Sequence, residues 1–176
     1  MATKLTPPTP ISTDSLITDV ARWTPFVRVQ GCSMHPTLEH GELLLTRPRP
    51  RRLEVGDIIV LSTGRGVRYV KRIMAGPGDV VELEAGRLFV NQHSYDGQPR
   101  TAGAWVQTWH VPGGHFFVVG DNLRRSDDSR VWNEPFVPAT SISGVALPRR
   151  GPSDGRLSPG AAGMNDLSRC SCGLNR

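Results

Sequence analysis

Ser33 is the first residue of this chain whose type and setting could do covalent chemistry. It lies in the stretch Gly-Cys-Ser-Met-His-Pro-Thr-Leu at residues 31–38. This stretch does not have the Gly-x-Ser-x-Gly spacing of the nucleophile elbow in α/β-hydrolases. No histidine and aspartate are arranged to serve the serine hydroxyl as they would in a triad. If Ser33 is a nucleophile, another type of residue must remove its proton.

Lys71 is a candidate for that base because of the strand predicted around it. Side chains alternate between the faces of a strand, so Lys71 shares a face with Tyr69 and Ile73. Burying an ammonium group is costly, and burial lowers the pKa of a lysine until the neutral amine can act as a general base. Ser33 and Lys71 would then form a Ser–Lys dyad, a variant of the catalytic triad. The alternative is that the Lys71 ammonium reaches past the strand into solvent.

A third polar stretch follows the apolar run at residues 116–119. It reads Gly-Asp-Asn-Leu-Arg-Arg-Ser-Asp-Asp-Ser-Arg at residues 120–130. Asp, Asn and Ser readily form loops through local side-chain hydrogen bonds. Its acidic residues do not have the spacing of an EF-hand calcium loop. Taken alone, this stretch predicts a polar loop.

Charge and metal-ligand residues set limits on the function. The 176 residues carry a formal net charge of +5. The densest basic run, residues 47–52, is either a solvated loop or a patch for an anionic membrane surface or nucleic acid. The five histidines are scattered, and Cys170 and Cys172 have no partner at zinc spacing, so no metal site is predicted. The three cysteines form no disulfide framework, and Cys32 is expected to be a small buried filler.

Short strands separated by turns must position these residues. The 19 glycines, the 15 prolines and the many valines predict frequent turns and few helices. The predicted strands are 26–30, 43–46, 58–61, 67–74, 80–83, 87–90, 116–119 and 142–147, with a polar loop from 91 to about 103. The predicted fold class is mostly β, a coiled antiparallel β-sheet or partly open barrel with a short N-terminal helix.

The two ends of the chain differ from its middle. Residues 1–14 and 149–176 are predicted to be disordered segments on either side of one domain, residues 15–148. The short amphipathic helix is predicted to start at Ser15 and to end near Pro25. Residues 1–30 contain no apolar run near the roughly 20 residues that cross a bilayer, and no secretory signal peptide is predicted.

Taken together, these stretches resemble the type I signal peptidase family. Residues 31–38 resemble its nucleophile box, residues 55–60 the box that follows, residues 68–79 its lysine box and residues 120–130 its last box. One box alone is weak evidence, but all four occur in order between about Val27 and Pro148. The resemblance implies the β-fold of the signal peptidases and the activity of a serine endopeptidase with a Ser–Lys dyad.

The resemblance also implies a role for each matching residue. Ser33 is expected to be the nucleophile, with Lys71 as the general base and the Ser33 backbone N–H as a donor to the oxyanion. Ser126 matches the serine that hydrogen-bonds the lysine amine in the family. Asp128 and Arg130 match a pair that braces the site.

Three further residues are expected to support the site. Gly31 stands two residues before the nucleophile, where some family members have a serine that donates to the oxyanion, and as a glycine it can permit a sharp turn. Met34 is expected to pack under the nucleophile turn as a flexible apolar filler. Asp121 belongs to the last box and completes the supporting set.

Substrate and location follow from the same resemblance. The family removes signal peptides after small residues, with alanine preferred at positions −1 and −3, and an exposed strand edge would bind such an extended preprotein or propeptide. No cofactor, no metal and no nucleic-acid partner is implied. The expected location is the extracytoplasmic face of the cell membrane, with a possible peripheral contact through the apolar side of residues 16–27. Because no membrane anchor is predicted here, a cytoplasmic location is the alternative.

Three other functions compete with this one. A soluble cytoplasmic protease could mature a dedicated propeptide, as small relatives of the family do. A self-cleaving repressor would share the Ser–Lys chemistry, but it needs a helix-turn-helix module for which the residues before Ser33 leave no room. A basic β-domain that binds anionic surfaces through residues 47–52 would not need Ser33 and Lys71.

Overall fold

The structure is a computed structural model that describes residues 25–62 and 67–147, and antiparallel strands dominate this part of the chain. The strands are β1 Phe26–Arg28, β2 Leu43–Pro48, β3 Ile58–Ser62, β4 Arg68–Ala75, β5 Val80–Glu84, β6 Arg87–Val90, β7 His93–Ser94, β8 Val106–His110, β9 His115–Val119, β10 Phe136–Pro138 and β11 Ile142–Ala146. Within the described residues, the one helical element is a 3-10 turn at Ala139–Ser141. The mostly β, antiparallel fold predicted from the sequence is confirmed, and its sheets are not closed into a barrel.

The larger sheet contains the strand that carries Lys71. Its seven strands lie in the order β1-β2-β11-β3-β4-β9-β10. In β4, Lys71 pairs with Ile59 of β3, and Ile73 pairs with Val118 of β9. Ile59, Ile73 and Val118 are completely buried in one apolar cluster. Because β4 is paired on both sides and packed in a core, it holds the Lys71 backbone in one position.

The residues around Ser33 form the connection between β1 and β2. These two strands pair from Phe26 opposite Leu45 to Arg28 opposite Leu43. The side chain of Met34 packs from the connection into a second apolar cluster, which also contains residues of β2 and β3. This burial fastens the connection to the larger sheet immediately after Ser33.

A smaller sheet of four strands follows β4, in the order β7-β6-β5-β8. Its β5–β6 hairpin turns through Ala85 and Gly86, which both have positive φ, as a two-residue hairpin loop of type I′ requires. A third apolar cluster combines Val81 and Leu88 of this sheet with Phe117 of β9. The two sheets therefore share a core beside the strand that leads into residues 120–130.

The sequence patterns did not predict β7, β8 and β10. β8 mixes polar residues with Val106 and Trp109 and lies at an edge of the smaller sheet, so its pattern resembles that of a polar loop. β7 has two residues and β10 has three, which is too short for any periodicity to show. The predicted N-terminal helix and the predicted disorder of residues 1–14 and 149–176 fall outside the described residues.

Candidate active site

Groups from three distant parts of the chain converge around Gly120, which directly follows β9. The Lys71 amine donates a hydrogen bond of 2.9 Å to the Ser126 hydroxyl oxygen. The backbone N–H of Asn122 donates to the Ser33 carbonyl oxygen at 3.0 Å. A Cβ atom added to Gly120 would overlap both the Ser126 side chain and the Ser33 carbonyl oxygen. The structure therefore brings Ser33, Lys71 and Ser126 together at one site.

Lys71 is buried, and its surroundings lower its pKa. The residue is 2% exposed. Burial disfavours the ammonium and is the largest influence on the pKa, while the negative charges of Asp128 and Asp127 oppose it and the positive charge of Arg130 adds to it. The net result is a pKa below that of a free lysine, so more of the amine is neutral near pH 7. The side chain does not extend into solvent.

Among the described residues, neither the hydroxyl nor the backbone N–H of Ser33 has a hydrogen-bond acceptor. Its hydroxyl makes no hydrogen bond to the other described residues, and the Lys71 amine donates to Ser126 instead. No buried side-chain oxygen or nitrogen in the described part lacks a partner, so the Ser33 hydroxyl is reached by solvent. Its backbone N–H also has no backbone acceptor within residues 25–62 and 67–147. Both groups can therefore meet a bound peptide.

The turn that presents Ser33 is held on both sides. Gly31 has a φ of 82°, which glycine adopts without strain, and the chain changes direction there. Met34 is 1% exposed, and its carbonyl accepts the Leu38 N–H at 2.9 Å. Gly31 and Met34 thus flank the nucleophile turn at the two places where it joins the rest of the fold.

Cys32 differs from the simple filler expected from the sequence. It is buried, but it takes part in a disulfide bond. The expectation was wrong because the spacing of three cysteines along a chain does not show which sulfur atoms meet in space.

Asp128 is completely buried and braces the loop that carries Ser126. Nε and Nη2 of Arg130 donate to its two carboxylate oxygens at 2.8 and 2.9 Å, and the Gly120 N–H donates to one of them at 3.0 Å. Burial raises the pKa of Asp128, but hydrogen bonds from Arg130, Ser126 and Gly120 outweigh burial and keep that pKa below its usual range. The carboxylate is therefore ionised at neutral pH.

Arg72 supports the site although sequence reasoning did not select it. Its Nε and Nη2 donate to the two carboxylate oxygens of Asp121 at 2.7 and 2.6 Å, and its Nη1 donates to the Gly56 carbonyl at 2.7 Å. Because Arg72 follows Lys71 and Asp121 follows Gly120, this bidentate pair ties β4 to the loop. The partner lies 49 positions away, and sequence alone gives no reason to choose it over other carboxylates.

The chain matches a family of known proteins. The sequence profile of the family described as signal peptidase, peptidase S26, matches residues 15–149. The chain belongs to the S26 signal peptidase family. The matched range contains the Ser33 turn, Lys71 and all of loop 120–130. The family resemblance seen in the sequence is thereby confirmed.

Several signal peptidases are similar to this family member. Signal peptidase I S of Bacillus subtilis (strain 168) is 35% identical over 125 residues, which cover 61% of this chain and 66% of that protein. Probable signal peptidase I-1 of Synechocystis sp. is 34% identical over 134 residues, 65% of either protein. The chloroplastic thylakoidal processing peptidase 1 of Arabidopsis thaliana is 30% identical over 141 residues, 70% of this chain and 41% of that protein.

A solved structure of the family is also similar. Signal peptidase I from Enterococcus faecalis V583 is 31% identical, with a TM-score of 0.42, over 54% of this chain and 97% of that chain. This S26 family member spans between 56% and 66% of the length of the first bacterial signal peptidases that it matches. In the part of the chain that the structure describes, no helix is both long and apolar enough to cross a membrane.

Proposed function

We propose that this member of the S26 family is a serine endopeptidase that removes signal peptides from preproteins, with Ser33 as the nucleophile and Lys71 as the general base. The observation that carries the proposal is the buried Lys71 amine, hydrogen-bonded to Ser126 beside the Ser33 turn. Burying a lysine costs stability, and general-base catalysis is a reason to retain it. The relatives, which are named signal peptidases, support the substrate class.

Acylation begins when the neutral Lys71 amine accepts the hydroxyl proton of Ser33 and Oγ attacks the scissile carbonyl carbon. The carbonyl oxygen becomes an oxyanion, which accepts a hydrogen bond from the Ser33 backbone N–H. The Lys71 ammonium then gives its proton to the departing amine as the C–N bond breaks. The mature protein leaves, and the signal peptide remains as an ester on Ser33.

Hydrolysis of the ester uses the same groups. A water molecule loses a proton to Lys71 as its oxygen attacks the ester carbon, and the oxyanion forms again at the Ser33 N–H. The bond to Oγ then breaks, and Lys71 returns the proton to the Ser33 oxygen. The signal peptide leaves with a free carboxylate.

Ser126, Asp128 and Arg130 position the base. The hydrogen bond to Ser126 directs the Lys71 amine, which has several rotatable bonds and would otherwise sample many positions. Asp128 and Arg130, which follow Ser126, hold the backbone that precedes it through the Gly120 N–H and the Leu123 carbonyl. The negative charges near Lys71 also stabilise the ammonium that forms during the reaction.

The preprotein is proposed to bind as an extended strand with alanine at positions −1 and −3. The solvent-facing hydroxyl of Ser33 supports this mode, because a peptide laid across the turn reaches it directly. A peripheral membrane contact is proposed beside it. Leu43 and Leu45 are exposed on one face of β2, which supports contact with an apolar surface.

Cleavage of an extended peptide with an Ala-x-Ala site tests the proposal. The wild-type protein is expected to cleave after the second alanine, and its rate should rise with pH through a pKa below that of free lysine. Ser33→Ala and Lys71→Ala should each lower kcat/KM by at least about 1,000-fold. Mass spectrometry of the products from acid to alkaline pH measures both the cleavage site and the rate.

Ser94→Ala is the matched control, because Ser94 lies in the smaller sheet and bonds to Asp96. It should keep full activity. Cleavage that survives in Lys71→Ala would contradict the general-base role, and cleavage after large residues would contradict the specificity. A folded wild-type protein that cleaves neither the peptide nor a complete preprotein would contradict the function.

A further inference from the structure

His40 lies outside the motifs of the active site, yet its side chain bonds to the nucleophile turn. The Nδ1 atom of this exposed histidine accepts the backbone N–H of Gly31 at 3.0 Å. Gly31 precedes Ser33 by two residues, and His40 is the ninth residue after Gly31. The bond therefore closes the loop that presents Ser33.

The bond forms just beyond the last backbone hydrogen bonds between the segments that extend β1 and β2. The Val29 N–H donates to the Glu42 carbonyl at 2.8 Å, and the Gly41 N–H donates to the Val29 carbonyl at 2.9 Å. Alternate residues of an antiparallel strand face the partner strand, so the next N–H on this side belongs to Gly31. The imidazole of His40 takes the place of a backbone acceptor at that position. Beyond Gly31, this segment makes no further backbone hydrogen bond, within the described residues, to the segment that leads into β2.

His40 and Asn122 hold the nucleophile residue from opposite directions along the chain. His40 fixes the Gly31 N–H, and the Asn122 N–H fixes the Ser33 carbonyl at 3.0 Å. The Ser33 N–H lies between these two anchors. Its direction depends on the few torsion angles that separate them, and an oxyanion is stabilised only by a donor that points at it.

We infer that His40 is a positioning residue, which fixes the Gly31 peptide and thereby aims the Ser33 N–H at the oxyanion. The inference rests on the peptidase function proposed above. His40 acts through the backbone of the turn, so its loss lowers the stabilisation of the transition state and leaves substrate binding largely intact.

The imidazole can accept this hydrogen bond only while Nδ1 carries no hydrogen.

Three substitutions at position 40 separate the acceptor from the rest of the side chain. In His40→Asn the amide oxygen is the same number of bonds from Cα as Nδ1, whereas in His40→Gln it is one bond further away. His40→Ala should lower kcat by about 5- to 10-fold, the effect of one neutral hydrogen bond, with KM little changed. His40→Asn should restore kcat, and His40→Gln should not.

His93→Ala is the matched control, since this exposed histidine also bonds to the backbone through Nδ1, in its case to the Asn91 carbonyl in the smaller sheet. It should leave kcat unchanged. Equal kcat in His40→Ala and the wild type would overturn the inference.

Amide hydrogen exchange measured by NMR tests the anchor without any substrate. The Gly31 amide should exchange slowly in the wild type and in His40→Asn, and faster in His40→Ala and His40→Gln. Equal exchange in all four proteins would overturn the inference even if the peptide is cleaved. If the wild type cleaves no substrate, the proposed function fails separately, and the exchange rates still decide whether His40 holds the turn.

Discussion

At the scale of single residues, the site depends on an amine whose charged form is disfavoured. Lys71 is buried in the middle of the larger sheet, and its pKa is lowered mainly by that burial. The hydrogen bond to Ser126 holds the amine but does not restore its hydration. The burial of Lys71 should therefore lower the stability of the fold, although the same burial makes the amine a better general base.

Lys71→Met is expected to stabilise the fold at neutral pH by a few degrees in Tm. The folded-state pKa of Lys71 is below the unfolded value of about 10.4, so the folded state binds this proton more weakly. The penalty is complete below the folded pKa and disappears as the pH rises towards the unfolded pKa. Thermal unfolding at a series of pH values should thus show a gain that shrinks in alkali.

Arg68→Met is the control for this experiment, because it removes a cation from an exposed position of the same strand. Its Tm should stay close to that of the wild type at every pH. A Lys71→Met protein that is less stable than the wild type at neutral pH would show that the bond to Ser126 outweighs the cost of burial.

Gly120→Ala is expected to disable the site without unfolding the protein. The new methyl group would overlap the Ser126 side chain and the Ser33 carbonyl oxygen, so these groups must move apart. A displacement of that size should lower kcat/KM by about 100-fold. The free energy of unfolding should fall by about 1–3 kcal/mol.

Gly113→Ala is the matched substitution, because a Cβ at Gly113 meets no atom within 4 Å. Peptide cleavage and urea unfolding of both variants measure the two effects. Wild-type activity in Gly120→Ala would contradict the convergence of Ser33 and Ser126 on this glycine.

At the scale of elements, loop 120–130 is held by two ion pairs, one within the loop and one that joins it to the larger sheet. Asp128 pairs with Arg130 inside the loop, and Asp121 pairs with Arg72 of β4. Both carboxylates accept two hydrogen bonds from a guanidinium, which fixes direction as well as distance. The loop can therefore hold Ser126 in place although it contains no regular secondary structure.

Asp128→Asn is expected to lower the free energy of unfolding by about 3–5 kcal/mol at neutral pH, because Arg130 keeps its charge and loses its partner. The folded-state pKa of Asp128 is below the unfolded value of about 3.9. Its stabilisation is therefore present above that value and is lost as the pH falls through the folded pKa. Urea unfolding should show the difference between the two proteins closing in acid.

Asp127→Asn is the control, since Asp127 is the adjacent carboxylate and is exposed. It should change the free energy of unfolding by no more than about 0.5 kcal/mol. An Asp128→Asn protein that unfolds at the same urea concentration as the wild type would show that the loop does not depend on this pair.

At the scale of the whole molecule, the two sheets share one core next to the site. The rings of Trp109 in β8 and Phe117 in β9 lie 5.1 Å apart, and Phe117 is completely buried. Gly120 directly follows β9 and is the third residue after Phe117. The smaller sheet therefore supports the strand from which the active-site loop departs.

Phe117→Ala is expected to lower the free energy of unfolding by about 3–5 kcal/mol and to reduce peptide cleavage, since it removes a buried ring between the sheets. Trp105→Ala is the control, because Trp105 is 76% exposed.

In the wild type, tryptophan fluorescence and far-ultraviolet circular dichroism should give one coincident unfolding transition. Two separate transitions would show that the sheets fold independently.

The sequence was most informative where a local pattern repeats. Alternation along residues 67–74 predicted the strand of Lys71 and its apolar neighbours, since strand geometry has a period of two. The same reasoning missed β8, because an edge strand with polar residues satisfies no strong pattern. It also missed Arg72 and His40, since neither a bidentate pair across 49 positions nor a side chain that replaces a backbone acceptor has a local signature.

The sequence by itself determined the family, the mostly β class and the residue types of the candidate site, because these depend on short motifs in a fixed order and on local periodicity. Only the tertiary structure decided that Lys71 is buried and bonded to Ser126, that Gly120 leaves no room for a side chain, and that Cys32 is in a disulfide. These features depend on distances between residues far apart in the chain. Packing sets such distances, and packing is a property of the whole fold.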